Sequence, residues 1–170
     1  PLLKFLSEEL TRQEFDLKAV MRMIMNSRVY QLSSEPNDSN FEDQQNYSHF
    51  LVTRIPAEVL LDSISDVTGS PESFAGMPPG TRAIRLWDNR LPSYFLDTFG
   101  RSERASACEC GKSGEPTMAQ ALHLMNAPEI DGKIRDPDGR VARLMGANLS
   151  HGEIISELCL AAFGRPPSRK

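Results

Sequence analysis

The spacing of hydrophobic residues predicts a chain built mostly from helices. Apolar side chains recur at intervals of three and four residues, the period of one helix face, through most of the sequence. Runs of this kind start at Leu2 and then after Asp16, Pro56, Pro92, Pro116 and Ser150. The last run has the clearest start signal, because Ser150 and Glu153 form an S-x-x-E capping box. A further short helix is expected at Arg140–Met145.

One stretch has the pattern of a strand instead. Ile84 and Leu86 occupy alternate positions within Thr81–Trp87, as apolar residues do in a strand with one buried face. Helices still dominate the chain. The sequence therefore predicts a mainly α fold, a compact multi-helix domain with long irregular loops and at most one short β-hairpin.

Three polar stretches are expected to be loops. Residues 33–47 have almost no apolar side chains, residues 69–80 are rich in glycine and proline, and residues 101–115 have no clear periodicity. The sequence contains no internal repeat of 20 to 50 residues. We interpret the loops as insertions within one fold, which gives a single helical domain spanning residues 1–170.

The helix expected after Pro116 carries two features of interest. Its apolar stripe consists of Met118, Leu122 and Met125, and His123 lies between two leucines on the same helix. A histidine in such a position is most often a packed side chain, with a ligand role as the alternative.

The composition narrows the class of function. The 170 residues include 19 basic and 23 acidic side chains, which give a net charge of -4 and a pI of about 5.4. A chain of this charge is not expected to bind nucleic acid or an acidic membrane surface through general electrostatic attraction. No apolar run approaches the ~20 residues that span a bilayer, so membrane insertion is not expected either.

Cys108 and Cys110 form a C-x-C pair in the irregular stretch at residues 101–115. Two thiolates this close are able to share a soft metal ion, with Glu109, His123 or Cys159 completing the site. They are also able to act as redox partners, one resolving a mixed disulfide formed by the other. The third possibility is a pair of structural thiols, buried or disulfide-linked, since a single C-x-C pair is an incomplete zinc motif.

Charged residues surround the two cysteines. The candidates for ligand binding are Arg101, Arg104, Glu109 and Glu115. These side chains would form a binding site if they converged on an open cleft. If they pair with one another beneath packed helices, the block is a structural knot, which is the interpretation that we favour.

The sequence contains no complete catalytic motif. It has no nucleophile elbow, phosphate-binding loop, dinucleotide fingerprint, zinc-protease helix or covalent haem attachment motif. Glu115 and Asp97 are candidates for a glycosidase-type carboxylate pair, but the sequence does not set their separation. We therefore predict no catalytic residue and favour a protein that is not an enzyme.

One long block and several shorter motifs resemble a known family. The block consists of A-C-E-C at 107–110 and S-G-E-P-T-M-A-Q-A-L-H-L-M-N at 113–126, and the shorter motifs are S-R-V-Y-Q at 27–31, R-I-P-A-E-V-L-L-D at 54–62 and P-P-G-T-R-A at 78–83. In these segments the chain resembles a planctomycete-type secreted domain of unknown function. The resemblance spans nearly the whole chain and is most specific in the block at 107–126.

The resemblance implies a location and a molecular context but no reaction. The family occurs at the C-terminal end of large exported proteins that also carry cytochrome-c-like domains. This chain is then expected to be the C-terminal part of a larger protein, exported to the periplasm or cell envelope, with a family pattern that begins before Pro1. No signal peptide is visible in the sequence itself. Haem is expected only on other domains, which leaves the metal ion considered above as the one cofactor candidate here.

The favoured function is a non-catalytic helical interaction or structural module of a large exported multidomain protein. Its expected partners are other domains of the same polypeptide, with a polysaccharide or another envelope component as a further possibility. The alternatives are a metal- or redox-active domain centred on Cys108 and Cys110, and a carbohydrate-active enzyme.

Overall fold

The computed structural model describes residues 1–87, 91–101 and 116–168. These residues form eight α-helices and one short 3-10 helix, and no strand occurs among them. The prediction of a mainly α fold is therefore confirmed. The chain packs as two compact units, Pro1–Thr53 and Arg54–Lys170, and the prediction of a single domain stays a prediction.

The N-terminal unit begins with two helices, α1 (Leu2–Arg12) and α2 (Leu17–Met25). Asp16 caps α2 as its residue type predicts, because its Oδ1 accepts hydrogen bonds from the backbone N–H groups of Lys18 at 2.8 Å and Ala19 at 3.1 Å. Beyond α2 the unit contains only turns and bends, in agreement with the surface loop predicted at residues 33–47.

Local hydrogen bonds to Asp43 order this loop. The carboxylate accepts from the backbone N–H groups of Asn46 at 2.7 Å, Gln45 at 3.0 Å and Ser48 at 3.1 Å, and also from the Ser48 hydroxyl. The Ser48 hydroxyl, followed by the backbone donors, holds the pKa of the Asp43 carboxyl well below its usual range. Polar bonds thus replace the apolar contacts that the loop sequence does not supply.

The C-terminal unit is built around one central helix, α3 (Ala57–Thr68). The other elements of the unit are the 3-10 helix (Ala83–Arg85), α4 (Tyr94–Thr98), α5 (Met118–Asn126), α6 (Pro128–Ile134), α7 (Arg140–Met145) and α8 (His151–Phe163). The 3-10 helix, α4, α6, α7 and α8 all pack against α3. The apolar core is small, and its buried members are Ala57, Leu61, Phe74, Ala83, Leu86, Phe95 and Leu96.

The strand predicted at Thr81–Trp87 is wrong, because this segment forms the 3-10 helix and leaves Ile84 and Trp87 exposed. The physical reason is a buried carboxylate on α3. Oδ1 of Asp62 accepts from the backbone N–H of Ala83 at 2.6 Å, and Oδ2 accepts from that of Ile84 at 3.1 Å. These bonds satisfy the donors that a partner strand would otherwise have bound.

Helix ends follow local signals. The predicted capping box of α8 is confirmed, with the backbone N–H of Ser150 donating to Glu153 Oε2 at 2.8 Å. The Ser150 hydroxyl and N–H lower the pKa of the Glu153 carboxyl. A second capping box, which we did not predict, joins Thr117 and Gln120 at the start of α5. The short helix predicted at Arg140–Met145 is α7.

The substitution Asp62→Asn tests the role of the buried carboxylate. It leaves a single acceptor oxygen and removes the negative charge, so we expect the free energy of unfolding to fall by about 2 kcal/mol. Asp66→Asn is the matched control, because Asp66 lies one turn further along α3 in an exposed ion pair with Arg82. Its expected cost is less than about 1 kcal/mol. Equal losses for the two variants in urea unfolding would contradict this account.

Candidate functional site

Five of the seven predicted site residues lie outside the described part of the chain. They are Cys108, Cys110, Arg104, Glu109 and Glu115, all within residues 102–115. The predictions made for them stay predictions. The structure places the remaining two, Arg101 and His123, in the C-terminal unit.

Arg101 binds groups of its own chain. Its Nε lies 2.8 Å from Oδ1 of Asp97 in an ion pair, and its Nη1 donates to the backbone carbonyl of Leu91 at 2.6 Å. Only 14% of the side chain is exposed. The guanidinium therefore ties the end of α4 to the segment before it, which also gives the candidate carboxylate of Asp97 a structural partner.

His123 lies half-buried among aromatic rings of α4 and the residue after it. The centroid of its ring lies 5.3 Å from that of Tyr94, 5.5 Å from Phe95 and 6.0 Å from Phe99. Its Nε2 is buried and has no hydrogen-bond partner in the part of the chain that the structure describes. A buried ring nitrogen without a hydrogen bond costs free energy of folding. The packing of His123 therefore does not by itself account for a histidine at this position.

The described residues do not bring a metal site together. Within residues 1–87, 91–101 and 116–168, no three His, Cys, Asp or Glu side chains lie close enough to hold a metal ion. Cys159, the remaining candidate ligand, is a free, half-buried cysteine on α8. A site that includes His123 would need ligands from outside the described residues, such as Cys108 and Cys110.

A recess of about 160 Å³ lies beside His123. Its apolar lining comes from Leu61, Ile64, Phe74, Phe95 and Ile130, and its polar lining includes Tyr94, His123, Glu129 and Lys133. The ammonium of Lys133 is held by the carbonyl of Ser70 at 2.9 Å and by Oε2 of Glu72 at 3.3 Å. These acceptors hold the amine in place, so Lys133 is not positioned to react with a ligand. The apolar lining of the recess suits a small apolar group.

Gln120 is the main polar connection between α5 and the rest of the unit. Its Nε2 donates to the carbonyl of Thr98 at 3.0 Å, and its Oε1 accepts from Nη2 of Arg54 at 2.9 Å and from the backbone N–H of Thr117 at 3.2 Å. The residue is only 8% exposed. Gln120 is not among the residues predicted from the sequence, although the T-x-x-Q pattern at 117–120 is a capping signal that points to it.

The apolar stripe of α5 faces away from this connection. Met118, Leu122 and Met125 are exposed to 75%, 51% and 79%. At about 100° per residue, Gln120 lies about 200° around the helix from Met118, so the inward face is polar and the outward face is apolar. Periodicity identified the stripe correctly, but a stripe of this kind ordinarily faces a core.

These features give the mainly α C-terminal unit a polar-bonded interior, a small recess and, on α5, an exposed apolar helix face. The family model of PSD1, described as a protein of unknown function (DUF1553), matches residues 1–170, and the chain belongs to this family. Comparisons with curated proteins and with solved structures gave no significant match. No helix in the described part of the chain combines the length and the apolar character needed to cross a membrane.

Replacing Gln120 tests its connecting role. Gln120→Leu leaves the half-buried carbonyl of Thr98 without this donor and removes one acceptor of Arg54. We therefore expect the free energy of unfolding to fall by about 2–3 kcal/mol in denaturant titrations. Asn126→Leu, at the exposed end of the same helix, is the control and is expected to change it by less than about 0.5 kcal/mol. A similar small change for both variants would show that Gln120 does not hold α5 in place.

Proposed function

We propose that this chain is a non-catalytic interaction module of a larger exported polypeptide. The observation that carries the proposal is the outward apolar face of α5, formed by Met118, Leu122 and Met125. Contiguous apolar side chains on the surface of a folded unit mark contact sites, and methionine adapts to the shape of a partner. The face belongs to α5, which lies within the most specific block of the family resemblance, at 107–126.

Three polar side chains of the C-terminal unit support a structural role over a chemical one. Gln120, Arg101 and Lys133 each donate to a backbone carbonyl of another segment, at 3.0, 2.6 and 2.9 Å. Groups committed to such bonds hold segments together and are not poised to exchange protons or attack a substrate. This favours binding over catalysis for the described residues.

The family resemblance supports the finer parts of the proposal. It places such chains at the C-terminal end of planctomycete-type exported polypeptides that also carry cytochrome-c-like domains, with haem on those domains only. The proposed partner of the α5 face is therefore another domain of the same polypeptide. A polysaccharide or another envelope component is the second class of partner. In that case the exposed apolar face of α5 would contact the less polar side of the partner.

Methionine methyl signals provide the test. In the isolated chain, the methyl groups of Met118 and Met125 are expected to be broadened by a soluble paramagnetic agent, because both side chains are exposed. In the complete polypeptide they are expected to be protected, since the partner domain covers them. Met145 on α7 is the matched control, because it is the same residue type with 66% exposure and is expected to stay broadened in both samples.

A double variant separates folding from contact. Met118→Gln with Met125→Gln changes the free energy of unfolding of the isolated chain by less than about 0.5 kcal/mol, as expected for surface positions. In the complete polypeptide it is expected to abolish the protection of Leu122, which lies between them on the helix face. Equal broadening of Met118, Met125 and Met145 in the wild-type polypeptide would contradict the proposal.

A second candidate function, metal or redox chemistry at Cys108 and Cys110, is favoured by one observation. The buried Nε2 of His123 lacks a hydrogen-bond partner among the described residues, and this atom is a common metal ligand. A metal ion held by two thiolates and this nitrogen would satisfy it. The proposal needs residues 102–115 to approach His123.

Metal content decides this second candidate. Protein purified without a metal-affinity step is expected to contain one metal ion per chain, to lose it in Cys108→Ser and in His123→Phe, and to keep it in the control Cys159→Ser. If His123 is only a packed side chain, His123→Phe instead leaves metal content unchanged and keeps or raises stability, since it removes an unsatisfied buried nitrogen. Wild-type protein without stoichiometric metal, and with the same thiol count before and after reduction, would rule out both the metal and the redox form.

A further inference from the structure

A second pocket, of about 350 Å³, lies at the C-terminal end of α3 beside α7. Its charged lining consists of Asp62, Asp66, Glu72, Arg82, Arg140 and Arg143. We call it the arginine pocket. All of it belongs to the C-terminal unit, and the exposed face of α5 does not contribute to it.

The three carboxylates of the arginine pocket are already occupied. Both oxygens of Asp62 accept from the backbone of the 3-10 helix, and Asp66 forms an ion pair with Arg82. Oε2 of Glu72 lies 3.3 Å from the ammonium of Lys133, and Oε1 accepts from the backbone N–H of Ser73 at 3.3 Å. The pocket therefore offers few free acceptors.

The arginine donors are not all occupied. Arg140 uses its Nε on the carbonyl of Val67 at 2.7 Å and its Nη2 on that of Asp66 at 3.0 Å, so its charge faces the end of α3 and not a carboxylate. The backbone N–H of Arg143 donates to the carbonyl of Gly139 at 3.1 Å, but its side chain makes no hydrogen bond or ion pair within the described residues. Its guanidinium, with five N–H donors, lines the pocket without a hydrogen-bond partner among those residues.

The backbone at the end of α3 leaves room for the exposed side chain of Arg143. Gly69 has φ of 70°, and a Cβ at this position would collide with Nη2 of Arg143. The absence of a side chain lets the guanidinium lie close to the backbone there. The left-handed conformation favours glycine at this residue, and a side chain would displace the flexible end of Arg143.

One further acid stands near Arg143 but does not bond to it. Oδ2 of Asp136 accepts from the Ser70 hydroxyl at 2.5 Å, and Oδ1 accepts from the backbone N–H of Asp138 at 2.9 Å. The Ser70 bond is the main cause of the lowered pKa of Asp136, and the charge of Arg143 is a minor one. Asp136 offsets part of the local positive charge, yet both of its oxygens serve other donors.

We propose that the arginine pocket binds a small oxyanion: a phosphate, sulfate or carboxylate group of a small molecule. Arg143 supplies the main bonds, because the planar guanidinium fork matches two oxygens of such a group. Arg140 adds positive charge one turn away on α7. The Ser65 hydroxyl accepts from Lys133 at 3.4 Å and keeps its own hydrogen for the anion.

The test uses inorganic phosphate, sulfate and acetate at constant ionic strength, with chloride as the balancing salt. We expect at least one of the three to shift the Gly69 amide and the Arg143 Nε–H signals in a saturable way, with a dissociation constant in the millimolar range. Arg143→Gln should weaken this binding about tenfold or more. Because the Arg143 side chain makes no hydrogen bond or ion pair within the described residues, the variant is expected to change the free energy of unfolding by less than about 0.5 kcal/mol.

Two further variants sharpen the result. Arg143→Lys keeps the charge but loses the fork, so its binding should fall between that of wild type and Arg143→Gln. Arg165→Gln removes one positive charge from an exposed residue after α8 and should bind like wild type. The oxyanion with the lowest dissociation constant identifies the chemical group. Shifts that do not saturate, that chloride reproduces, or that are equal in wild type and Arg143→Gln would overturn the proposal.

Discussion

The hydrogen bonds of the Asp62 carboxylate hold the centre of the C-terminal unit. They fix the 3-10 helix on α3, and this helix is what brings Ala83 and Leu86 into the core, where they are exposed to only 0% and 4%. Without these bonds, the backbone N–H groups of Ala83 and Ile84 would lose their acceptor. The core would then lose two of its seven buried members, and α3 would be covered on fewer sides.

Other polar side chains of the C-terminal unit also bind backbone groups of neighbouring segments. Lys133 binds the carbonyl of Ser70, Arg140 binds those of Asp66 and Val67, and Gln120 binds that of Thr98. The helices around α3 are short, between 5 and 13 residues, so each buries little apolar surface. Bonds to backbone carbonyls compensate, because they are directional and because a buried carbonyl left without its donor costs about 1–3 kcal/mol. Lys133 and Arg140 also place positive charge where the dipole of α3 is negative.

The sequence predicts a structural feature well when the residues that determine it lie close together along the chain. The cap at Asp16 and the capping box at Ser150 and Glu153 were predictable, because each bond joins residues at most three apart. The strand predicted at Thr81–Trp87 was wrong, because the deciding acceptor is Asp62, about twenty residues earlier. Periodicity predicted the stripe of α5 but not its direction, since the pattern identifies a face and not what the face contacts. Most of the candidate site at Cys108–Glu115 stays a prediction.

The direction of α5 follows from a balance of two terms of similar size. Turning the helix inward would bury Met118, Leu122 and Met125, each worth roughly 1.5–3 kcal/mol when fully buried. It would also break the two bonds that Gln120 makes to other segments, each worth about 0.5–1.5 kcal/mol, and leave the carbonyl of Thr98 without its donor at a further cost of about 1–3 kcal/mol. In the structure the bonds of Gln120 are made and the apolar gain is not, because the stripe stays exposed. A partner on the outer face would realise it while the bonds of Gln120 stay intact, and this is why a helix anchored by polar bonds is suited to present an apolar surface.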